Sequence, residues 1–326
     1  MDAVISDRSM RLVFLASGVF AGPTLSWLAQ SRHEVALVIT QPARPSGRGR
    51  RLTRTHVADL ADTLGVETWE IADVNEPEVI AGIRDREARL GVVIAFGQKL
   101  GPSLLESLPL GFINLHASLL PKFRGAAPIN WAIVRGEEQT GCTIFRVGQR
   151  MDAGPILLSR STPIEPHETA GELHDRLSAI GVEAVRETLD LFAGEAIPPG
   201  ALQDESQVTQ APKLKKSDGW IDFDRPAREV ANRICGLTPW PGATALQGPP
   251  SGPQQKVLIT RARPVEDLAL GSAPPGTIDM RGYVAARDGW VDILEIKPTS
   301  GRRMTWDEYV NGRHVVEGDR FLPAQP

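Results

Sequence analysis

The sequence predicts an α/β protein in which a domain built on a mostly parallel β-sheet is followed by a smaller β-rich domain. In the first half, short continuous apolar segments alternate with segments of helical periodicity, the pattern of a parallel sheet covered on both faces. In the second half, short strand-like segments lie between glycine- and proline-containing turns, as in a small β-barrel or sandwich. A chain of 326 residues suits two domains better than one core.

The strands of the first half are apolar runs that end in small residues, glycine or proline. The predicted strands are RLVFLASG (11–18), VALVITQP (35–42), LGVVIAFG (90–97) and FINLHA (112–117). Helical spacing follows the first two at 19–33 and 56–66, and a long amphipathic helix is predicted from Glu168 to Phe192. Because parallel sheets bind ligands at the carboxyl ends of their strands, we expect the active cleft at that edge.

Composition also predicts the domain boundaries. Residues 1–10 precede the first strand and are expected to form a flexible tail, since they do not show the pattern of a signal peptide. The parallel-sheet domain is predicted to span 11–194. A polar segment rich in proline and glycine favours a linker over 195–212, and the β-rich domain is predicted to span 213–326.

The overall composition narrows the class of protein. With 41% hydrophobic and 23% charged residues the chain is typical of soluble globular proteins. No apolar run reaches the roughly 18 residues that a membrane helix needs. The two cysteines, Cys142 and Cys235, are far apart and outside any metal-ligand spacing, which favours buried thiols in a reducing compartment. The sequence therefore predicts a cytoplasmic protein without a metal or a membrane partner. We expect it to act as a monomer.

Polar residues mark the end of the fourth predicted strand. In an extended strand residues i and i+2 face the same side, so Asn114 and His116 point together while Ile113 and Leu115 face the other way. At a strand's carboxyl end the shared side is the predicted cleft. On this pair alone, hydrogen-bonded polar residues at a strand exit explain the pattern equally well.

A second turn adds a carboxylate. The segment GCTIFRVGQRMDAGPILL (141–158) is predicted to be a strand, a turn and a strand, with Asp152 in the turn. An aspartate in a turn usually caps the backbone, but Asn114, His116 and Asp152 in one cleft would suit acyl-type transfer. An amide can hold an oxyanion, an imidazole can move a proton, and a carboxylate can orient the imidazole. No Ser or Cys lies in a nucleophile elbow, so the substrate itself is the expected nucleophile.

These motifs resemble the folate-dependent formyltransferases, whose pattern is Asn-x-His-x-Ser-Leu-Leu-Pro followed later by Asp-x-Gly. Here the pattern reads Asn114, His116, Ser118 to Pro121, and Asp152-Ala153-Gly154. The similarity continues through ITQPARPSGRGRRL, RGAAPI, PKLKK, TPWPGA and GRRMTWDEYVNGR, and covers about residues 11–321. It implies a Rossmann-like formyltransferase domain followed by an OB-like β-barrel domain.

The resemblance also implies a reaction. An amine attacks the formyl carbon of the co-substrate 10-formyltetrahydrofolate, with Asn114, His116 and Asp152 as the catalytic residues. The folate would bind at the strand end and at the loop after the motif strand. The residues expected there are Phe96, Gly97, Ser118, Leu119, Leu120 and Pro121. This chain departs from the family in having Phe96 in place of a tyrosine, and Ala16-Ser17-Gly18 where Gly-Thr-Pro is usual.

Basic clusters indicate the acceptor. Arg44, Arg48, Arg50, Arg51 and Arg54 crowd a glycine-containing loop directly after the second predicted strand. An arginine run is usually solvated surface, but arginines at a cleft mouth also suit phosphates. The resemblance implies that this loop grips the acceptor stem of methionyl initiator tRNA. A phosphate-tracking face of the second domain is expected from Lys213, Lys215, Lys216, Arg261, Arg263, Arg302 and Arg303.

Other functions remain open at this stage. A formyltransferase acting on a small amine, such as an amino-sugar nucleotide, would share the chemistry but would not need the arginine loop. A purine-pathway formyltransferase would lack a second domain of this kind, and a hydrolase would use water in place of the amine. A non-catalytic tRNA-binding protein would not need Asn114, His116 and Asp152. No GxGxxG follows the first strand, which argues against a dehydrogenase.

Overall fold

The computed structural model of this chain describes residues 9–46, 49, 51–192, 199–265 and 273–322. The strands are β1 (Arg11–Ala16), β2 (Glu34–Thr40), β3 (Arg44–Ser46), β4 (Arg51–Thr53), β5 (Thr68–Glu70), β6 (Leu90–Ile94), β7 (Phe112–His116), β8 (Arg124–Gly125), β9 (Gln139–Arg146), β10 (Ile156–Pro163), β11 (Gln210–Ala211), β12 (Ala243–Gly248), β13 (Gln255–Val265), β14 (Val284–Ala285), β15 (Trp290–Pro298), β16 (Met304–Thr305) and β17 (Arg320–Leu322).

The helices complete the element order. They are α1 (Gly22–Gln30), α2 (His56–Leu64), α3 (Pro77–Asp85), α4 (Pro102–Leu105), α5 (Pro128–Val134), α6 (Ala170–Leu191), α7 (Ala227–Gly236) and α8 (Trp306–Arg313). Short 3-10 turns cover Val19–Ala21, Glu205–Gln207 and Lys216–Gly219. Within the described residues, no helix has both the length and the apolar character needed to cross a membrane.

A seven-stranded sheet forms the frame of the first part of the chain, in the order β10-β9-β7-β6-β1-β2-β5. The pairs β1–β2, β2–β5, β1–β6 and β6–β7 are parallel, and β9 runs antiparallel to β7. The predicted strands at 11–18, 35–42, 90–97 and 112–117 are thereby confirmed as β1, β2, β6 and β7. The mostly parallel, Rossmann-like sheet is confirmed with them.

The central strands are buried on both faces, which explains their continuous apolar sequence. In β1, Phe14 and Leu15 point to opposite faces and both are fully buried. Leu15 belongs to a cluster that includes Ile39 of β2 and Ile83 of α3. The chain leaves β1 towards β2 on one side and returns to β6 on the other, so the strand order reverses between β1 and β6. Crevices at such reversals are where open α/β sheets bind ligands.

A six-stranded antiparallel sheet forms the second unit, with the order β14-β15-β13-β12-β17 and β16 on β15. Single bridges close this sheet into a barrel: Thr277 pairs with Arg320 of β17, and Ile278 pairs with Val284 of β14. The sequence left a barrel and a sandwich open, and the closure decides for an OB-like barrel. Residues 276–280 form no regular strand and take part through these isolated bridges.

Two compact units divide the chain. One contains Gly141–Thr162, Asp175–Gln210 and the described residues up to Gly125, and the other contains Ala126–Thr140, Pro163–His174 and the described residues from Ala211. Helix α5 groups with the second unit because its Val134 packs against the barrel core and Asn130 Nδ2 donates to the Gly236 carbonyl over 2.7 Å. The predicted linker at 195–212 stays a prediction, and its residues 195–198 lie outside the described part.

Candidate active site

The end of β7 carries two of the predicted catalytic residues. Asn114 and His116 lie two positions apart in β7, which pairs with β6 on one side and with β9 on the other. His116 is only 7% exposed, whereas Asn114 is partly exposed. Ile113 and Leu115 are buried in the core, as the alternation predicts. The strand therefore presents its amide and its imidazole on one side at the carboxyl end of the sheet.

Both ring nitrogens of His116 face oxygen atoms. Nε2 lies 2.8 Å from the carbonyl oxygen of Phe123, and Nδ1 lies 3.9 Å from Oδ2 of Asp152. A carbonyl oxygen only accepts hydrogen bonds, so Nε2 carries a proton and donates it to Phe123. The 3.9 Å separation exceeds a direct hydrogen bond, so Nδ1 is held near Asp152 without being committed to it.

The Asp152 carboxylate is fixed by the loop that follows β7. Oδ2 of Asp152 accepts a hydrogen bond from the Gly125 N–H over 2.8 Å. The backbone of Asp152 is left-handed, with φ 51°, and that of Phe123 is as well, with φ 61°. Non-glycine residues rarely adopt this region, although Asp tolerates it better than most. The structure thus brings Asn114, His116 and Asp152 to one place.

The turn that carries Asp152 requires a glycine at position 154. A Cβ at Gly154 would lie 1.7 Å from the Arg146 carbonyl oxygen, a distance no side chain can accept. The N–H of Arg146 in turn donates to the carbonyl of Pro155 over 2.9 Å. The turn that carries Asp152 therefore lies directly against the end of β9.

The loop after β7 contains the residues predicted to contact the folate. Ser118 is fully buried, and its Oγ donates to the carbonyl of Lys122 over 2.7 Å. Thr143 of β9 bridges the loop, since its Oγ1 donates to the Ser118 carbonyl and accepts from the Leu120 N–H. Leu120 is buried, while Leu119 and Pro121 are partly exposed. The Ser118 hydroxyl therefore shapes the loop from within.

The strand end at Phe96 and Gly97 lies at the reversal of strand order. The Phe96 ring is 2% exposed and packs in the core cluster of the sheet, so it replaces the usual tyrosine as a core residue. Gln41 Nε2 donates to the Phe96 carbonyl over 2.7 Å. Gly97 is exposed, with φ 79°, and Ala95 is exposed as well. A ligand at this turn would therefore meet the backbone N–H and C=O groups of Ala95 and Gly97 and not the Phe96 ring.

The unusual Ala16-Ser17-Gly18 segment has a structural use in this chain. Ser17 Oγ accepts hydrogen bonds from the Gln41 N–H over 3.0 Å and from the Thr40 hydroxyl over 3.2 Å. The N–H of Gly18 donates to the Ala95 carbonyl over 3.1 Å. The serine thus ties the end of β1 to the start of the basic loop.

Arg124 is a charged residue of this region that the sequence analysis did not single out. It is only 6% exposed and donates to Gln203 Oε1 over 3.1 and 2.7 Å and to the Glu205 carboxylate over 3.3 and 3.0 Å. Hydrogen bonds from Arg124 and Arg150 lower the pKa of Glu205. The only sequence signal was its place in RGAAPI, directly after the catalytic motif.

Neither cysteine suits nucleophilic catalysis. Burial raises the pKa of Cys142 to about 12, and its thiol donates to the Leu177 carbonyl. Burial also raises the pKa of Cys235. Because only the thiolate is a good nucleophile, neither residue would form a covalent acyl intermediate near neutral pH.

The basic loop contains an exposed hairpin. Strands β3 and β4 pair antiparallel, and Arg44 and Arg51 lie exposed upon them. Arg48 and Arg50 lie outside the described residues. Arg54 has a different part, because its guanidinium binds Asp59, Asp62 and Glu70. Hydrogen bonds to Asp62 and Glu70 raise the pKa of Arg54 above its ordinary value.

The basic residues predicted in the second unit are mostly exposed, and several are paired. Lys213 and Lys215 are exposed on the segment that leads to the barrel. Arg302 and Arg303 are exposed and lie within 3.6 Å of Glu308 and 3.5 Å of Glu295, respectively. Arg261 donates to Glu172 and to the His167 carbonyl, and Arg263 to Asp292. The last two arginines are therefore occupied by acidic partners.

Known proteins share both parts of this chain. The formyl transferase family matches residues 10–189, and the formyl transferase C-terminal domain matches residues 213–314. A methionyl-tRNA formyltransferase from Solibacter usitatus (strain Ellin6076) is 41% identical over 315 residues, which cover 96% of this chain and 98% of that protein.

Two solved structures share the fold. HypX from Aquifex aeolicus, in complex with tetrahydrofolic acid, has a TM-score of 0.59 at 17% identity over 92% of this chain, which spans 47% of the HypX chain. The sugar 3N-formyl transferase WlaRD, in the presence of dTDP and 5-N-formyl-THF, has a TM-score of 0.61 at 13% identity, covering 90% of this chain and 99% of that one.

Proposed function

This chain belongs to the formyl transferase family, and we propose that it transfers the formyl group of 10-formyltetrahydrofolate to the α-amine of methionine on initiator tRNA. The observation that carries the proposal is the cluster at the end of β7, where His116 Nδ1 lies 3.9 Å from Asp152 Oδ2 on the strand that also bears Asn114. The likeness to the methionyl-tRNA formyltransferase of S. usitatus along nearly the whole chain supports methionyl-tRNA as the acceptor.

The transfer is direct. The amine nitrogen attacks the formyl carbon, a new C–N bond forms, and the formyl oxygen becomes the oxyanion of a tetrahedral intermediate. Collapse of the intermediate breaks the bond from the formyl carbon to the folate nitrogen, which takes up a proton, while the attacking amine loses one. Holding both substrates together supplies much of the rate, because well-oriented reactants can save several kcal/mol of the barrier.

His116 stabilises the oxyanion through Nδ1. Its Nε2 proton is used by the Phe123 carbonyl, which fixes the plane of the ring. The imidazolium form therefore carries its second proton on Nδ1, on the side of Asp152, where the pair of opposite charges is favourable. The Nδ1–H is free to donate to the developing oxyanion, and the Asn114 amide N–H provides a second donor.

Asp152 orients His116 and accepts the proton of the attacking amine, directly or through a water molecule. Its Oδ2 is held by the Gly125 N–H, and Oδ1 is the oxygen proposed to face the substrate. A carboxylate fixed in this way need not reorganise during the reaction, which is the source of electrostatic preorganisation.

The folate substrate is proposed to bind at the reversal of strand order and along the loop after β7. The exposed turn at Gly97 offers backbone groups for the polar edge of the pterin, and Leu119, Leu120 and Pro121 offer apolar contacts. Ser118 acts by shaping the loop, and Phe96 by supporting the turn from the core.

The tRNA is proposed to bind through basic residues that contact its phosphates. On the first unit these are Arg44 and Arg51 of the β3–β4 hairpin, together with Arg48 and Arg50 of the same loop. On the second unit they are Lys213, Lys215, Arg302 and Arg303. Contacts of this type position the acceptor stem and make affinity fall steeply with salt. We further propose that the protein acts as a monomer in the cytoplasm, where charged tRNA is made and used.

A labelling experiment tests the proposal. Purified protein is incubated with formyl-labelled 10-formyltetrahydrofolate and, in separate reactions, methionyl initiator tRNA, methionyl elongator tRNA, uncharged initiator tRNA or an amino-sugar nucleotide. We expect label on the methionyl initiator tRNA and none on the uncharged form. Label on the sugar alone would assign a sugar formyltransferase, and labelled formate alone would assign a hydrolase. Retention of tRNA without any labelled product would assign a non-catalytic binding protein.

A further inference from the structure

Gln203 lies in the segment expected to be a linker, yet its side chain makes four hydrogen bonds around the Asp152 turn. Its Nε2 donates to the Asp152 carbonyl over 2.9 Å and to the Gly154 carbonyl over 2.8 Å. Its Oε1 accepts from Arg124 Nε and Nη2 over 3.1 and 2.7 Å. Both ends of one amide are thus used, and both face residues of the catalytic region.

The four bonds fix the orientation of the Gln203 amide. The partners of Nε2 are carbonyl oxygens, which only accept, and the partner of Oε1 is a guanidinium, which only donates. Turning the amide over would set its oxygen against two carbonyls and its NH₂ against a cation. Glutamate cannot donate to the carbonyls, and lysine cannot accept from Arg124. Glutamine matches this site chemically.

Gln203 holds both partners of the bond that fixes the Asp152 carboxylate. On one side it holds the Asp152 main chain. On the other it holds Arg124, whose next residue, Gly125, donates its N–H to Asp152 Oδ2 over 2.8 Å. Glu205 binds the same guanidinium from the solvent side. The amide therefore links the two backbone segments whose separation sets where the carboxylate lies.

The backbone of Asp152 needs such support. Its φ of 51° lies in the left-handed region, which costs energy for residues other than glycine, although Asp tolerates it better than most. The hydrogen bonds from Gln203 to the carbonyls of Asp152 and Gly154 hold the backbone on the C-terminal side of this residue. Nearby, Ala201 pairs with Ile156 through two backbone hydrogen bonds of 2.7 Å, which anchors the segment that carries Gln203.

We infer that Gln203 is a positioning residue for formyl transfer: its amide holds the Asp152 carboxylate at the distance from His116 Nδ1 that the reaction requires. This inference rests on the proposed role of Asp152. It makes the segment after α6 part of the apparatus that positions the catalytic groups.

The test substitutes Gln203→Glu, which keeps an acceptor for Arg124 and removes the donor to both carbonyls. Because a small misplacement of a catalytic group is costly, we expect kcat to fall about tenfold. KM for both substrates should stay within about twofold, because Gln203 acts on the reacting groups and not on binding. Gln207→Glu is the matched control, since Gln207 lies in the same segment and donates to Asp204 at the surface. It should leave kcat unchanged.

Testing the same substitution in the Asp152→Asn variant distinguishes a positioning role from a general loss of structure. If Gln203 acts through Asp152, adding Gln203→Glu to Asp152→Asn should lower the residual kcat by less than twofold, because the carboxylate it positions is already gone. A tenfold loss in both backgrounds would overturn the inference. So would a Gln203→Glu enzyme with the kcat of the Gln207→Glu control.

Stability measurements complete the design. Gln203→Glu should lower Tm by less than about 5 °C, because only the two hydrogen bonds from Nε2 are lost and the side chain is partly exposed. If it does not, Gln203→Ala is used, which leaves Arg124 with Glu205. A kcat loss in either variant that appears only together with a large drop in Tm, or with an equal rise in KM, assigns a structural role and overturns the inference. A wild-type enzyme that formylates no methionyl-tRNA would instead refute the proposed function, and this inference with it.

Discussion

The end of β7 and the β3–β4 hairpin belong to the same unit but use their charged residues in opposite ways. At β7 the groups are buried and bonded to one another: Arg124 is 6% exposed and bound to Gln203 and Glu205, and His116 is held by a backbone carbonyl. On the hairpin, Arg44 and Arg51 are exposed on two short paired strands. We call the first the rigid region, because hydrogen bonds hold its charged groups in place. We call the second the accessible region, because its arginines are exposed to solvent.

The difference fits what each region is proposed to recognise. A tetrahedral intermediate exists briefly at one place, so its donors must be in position before it forms. A tRNA backbone is a long, repetitive anion, so exposed arginines can bind it by charge and adjust. The role of an arginine therefore cannot be assigned from the sequence until the partners of its guanidinium are known. Arg54 follows the hairpin by one residue, yet three acidic residues bind it.

The largest expected effect lies at the rigid region. Asn114→Ala removes one of the two proposed donors to the oxyanion, and kcat should fall about 10²- to 10³-fold. KM for tRNA should stay within about twofold, because the proposed tRNA contacts lie elsewhere. Single-turnover formylation measures the chemical step. Asn130→Ala, which removes an amide on α5, is the control. A loss below about fivefold in Asn114→Ala would remove this amide from the mechanism.

A smaller effect is expected at the accessible region. The double variant Arg44→Ala, Arg51→Ala should raise KM for tRNA about tenfold at low salt and reduce the slope of log affinity against log salt by about 2, because two phosphate contacts are lost. The kcat value should remain unchanged. Arg11→Ala with Arg32→Ala is the matched control, since those arginines bind Glu34 and Asp190. An unaltered salt slope in the hairpin variant would place tRNA elsewhere.

Thr209→Val probes the rigid region from another side. Thr209 Oγ1 accepts from the Phe123 N–H over 2.9 Å, and the Phe123 carbonyl holds His116. The substitution keeps the shape and removes this acceptor of the Phe123 N–H, so we expect a loss of about 1–2 kcal/mol in unfolding free energy. The kcat value should fall a few-fold. Denaturant unfolding and steady-state rates measure both. Ser206→Ala, in the same segment, is the control and should change neither the unfolding free energy nor kcat.

The smallest effect is expected at the ion pair between Arg261 and Glu172 in the second unit. Burial would raise the pKa of Glu172, but hydrogen bonds from Arg261 and Thr169 outweigh it and lower the pKa to about 2. A carboxyl group with a lower pKa in the folded protein than in the unfolded chain stabilises the folded state at pH values above the unfolded pKa. For Glu172 this stabilisation is lost as the pH falls from about 4.5 to about 2.

The matching variant is Glu172→Gln. Because the Glu172 side chain is 49% exposed, it should cost under 1 kcal/mol at pH 7 and nearly nothing at pH 2. Thermal unfolding at both pH values is the measurement. Glu183→Gln, from an exposed pair with Arg186, is the control. An equal cost at both pH values would show that charge pairing contributes nothing there.

Much of the site follows from local sequence because its signals are local. The alternation in β7 is a matter of neighbouring residues, and so is the turn at Asp152, which Gly154 makes possible. Phe96 was different, since the direction of a ring at a strand end does not follow from its neighbours in the sequence. The ring packs into the core, and its contact with the folate stays a prediction. Arg261 was judged by charge alone, and its partner Glu172 lies 89 residues away.

What the sequence by itself determined is the set of elements and the residue types they present: buried parallel strands, an amide and an imidazole on one side of a strand end, a carboxylate in a turn. Only the tertiary structure decided their partners. Gly125 reaches Asp152 across 27 residues, Gln203 reaches it across 51, and Thr209 reaches Phe123 across 86. The physical reason is range, because periodicity acts over a few residues, whereas a hydrogen bond depends on where the chain returns.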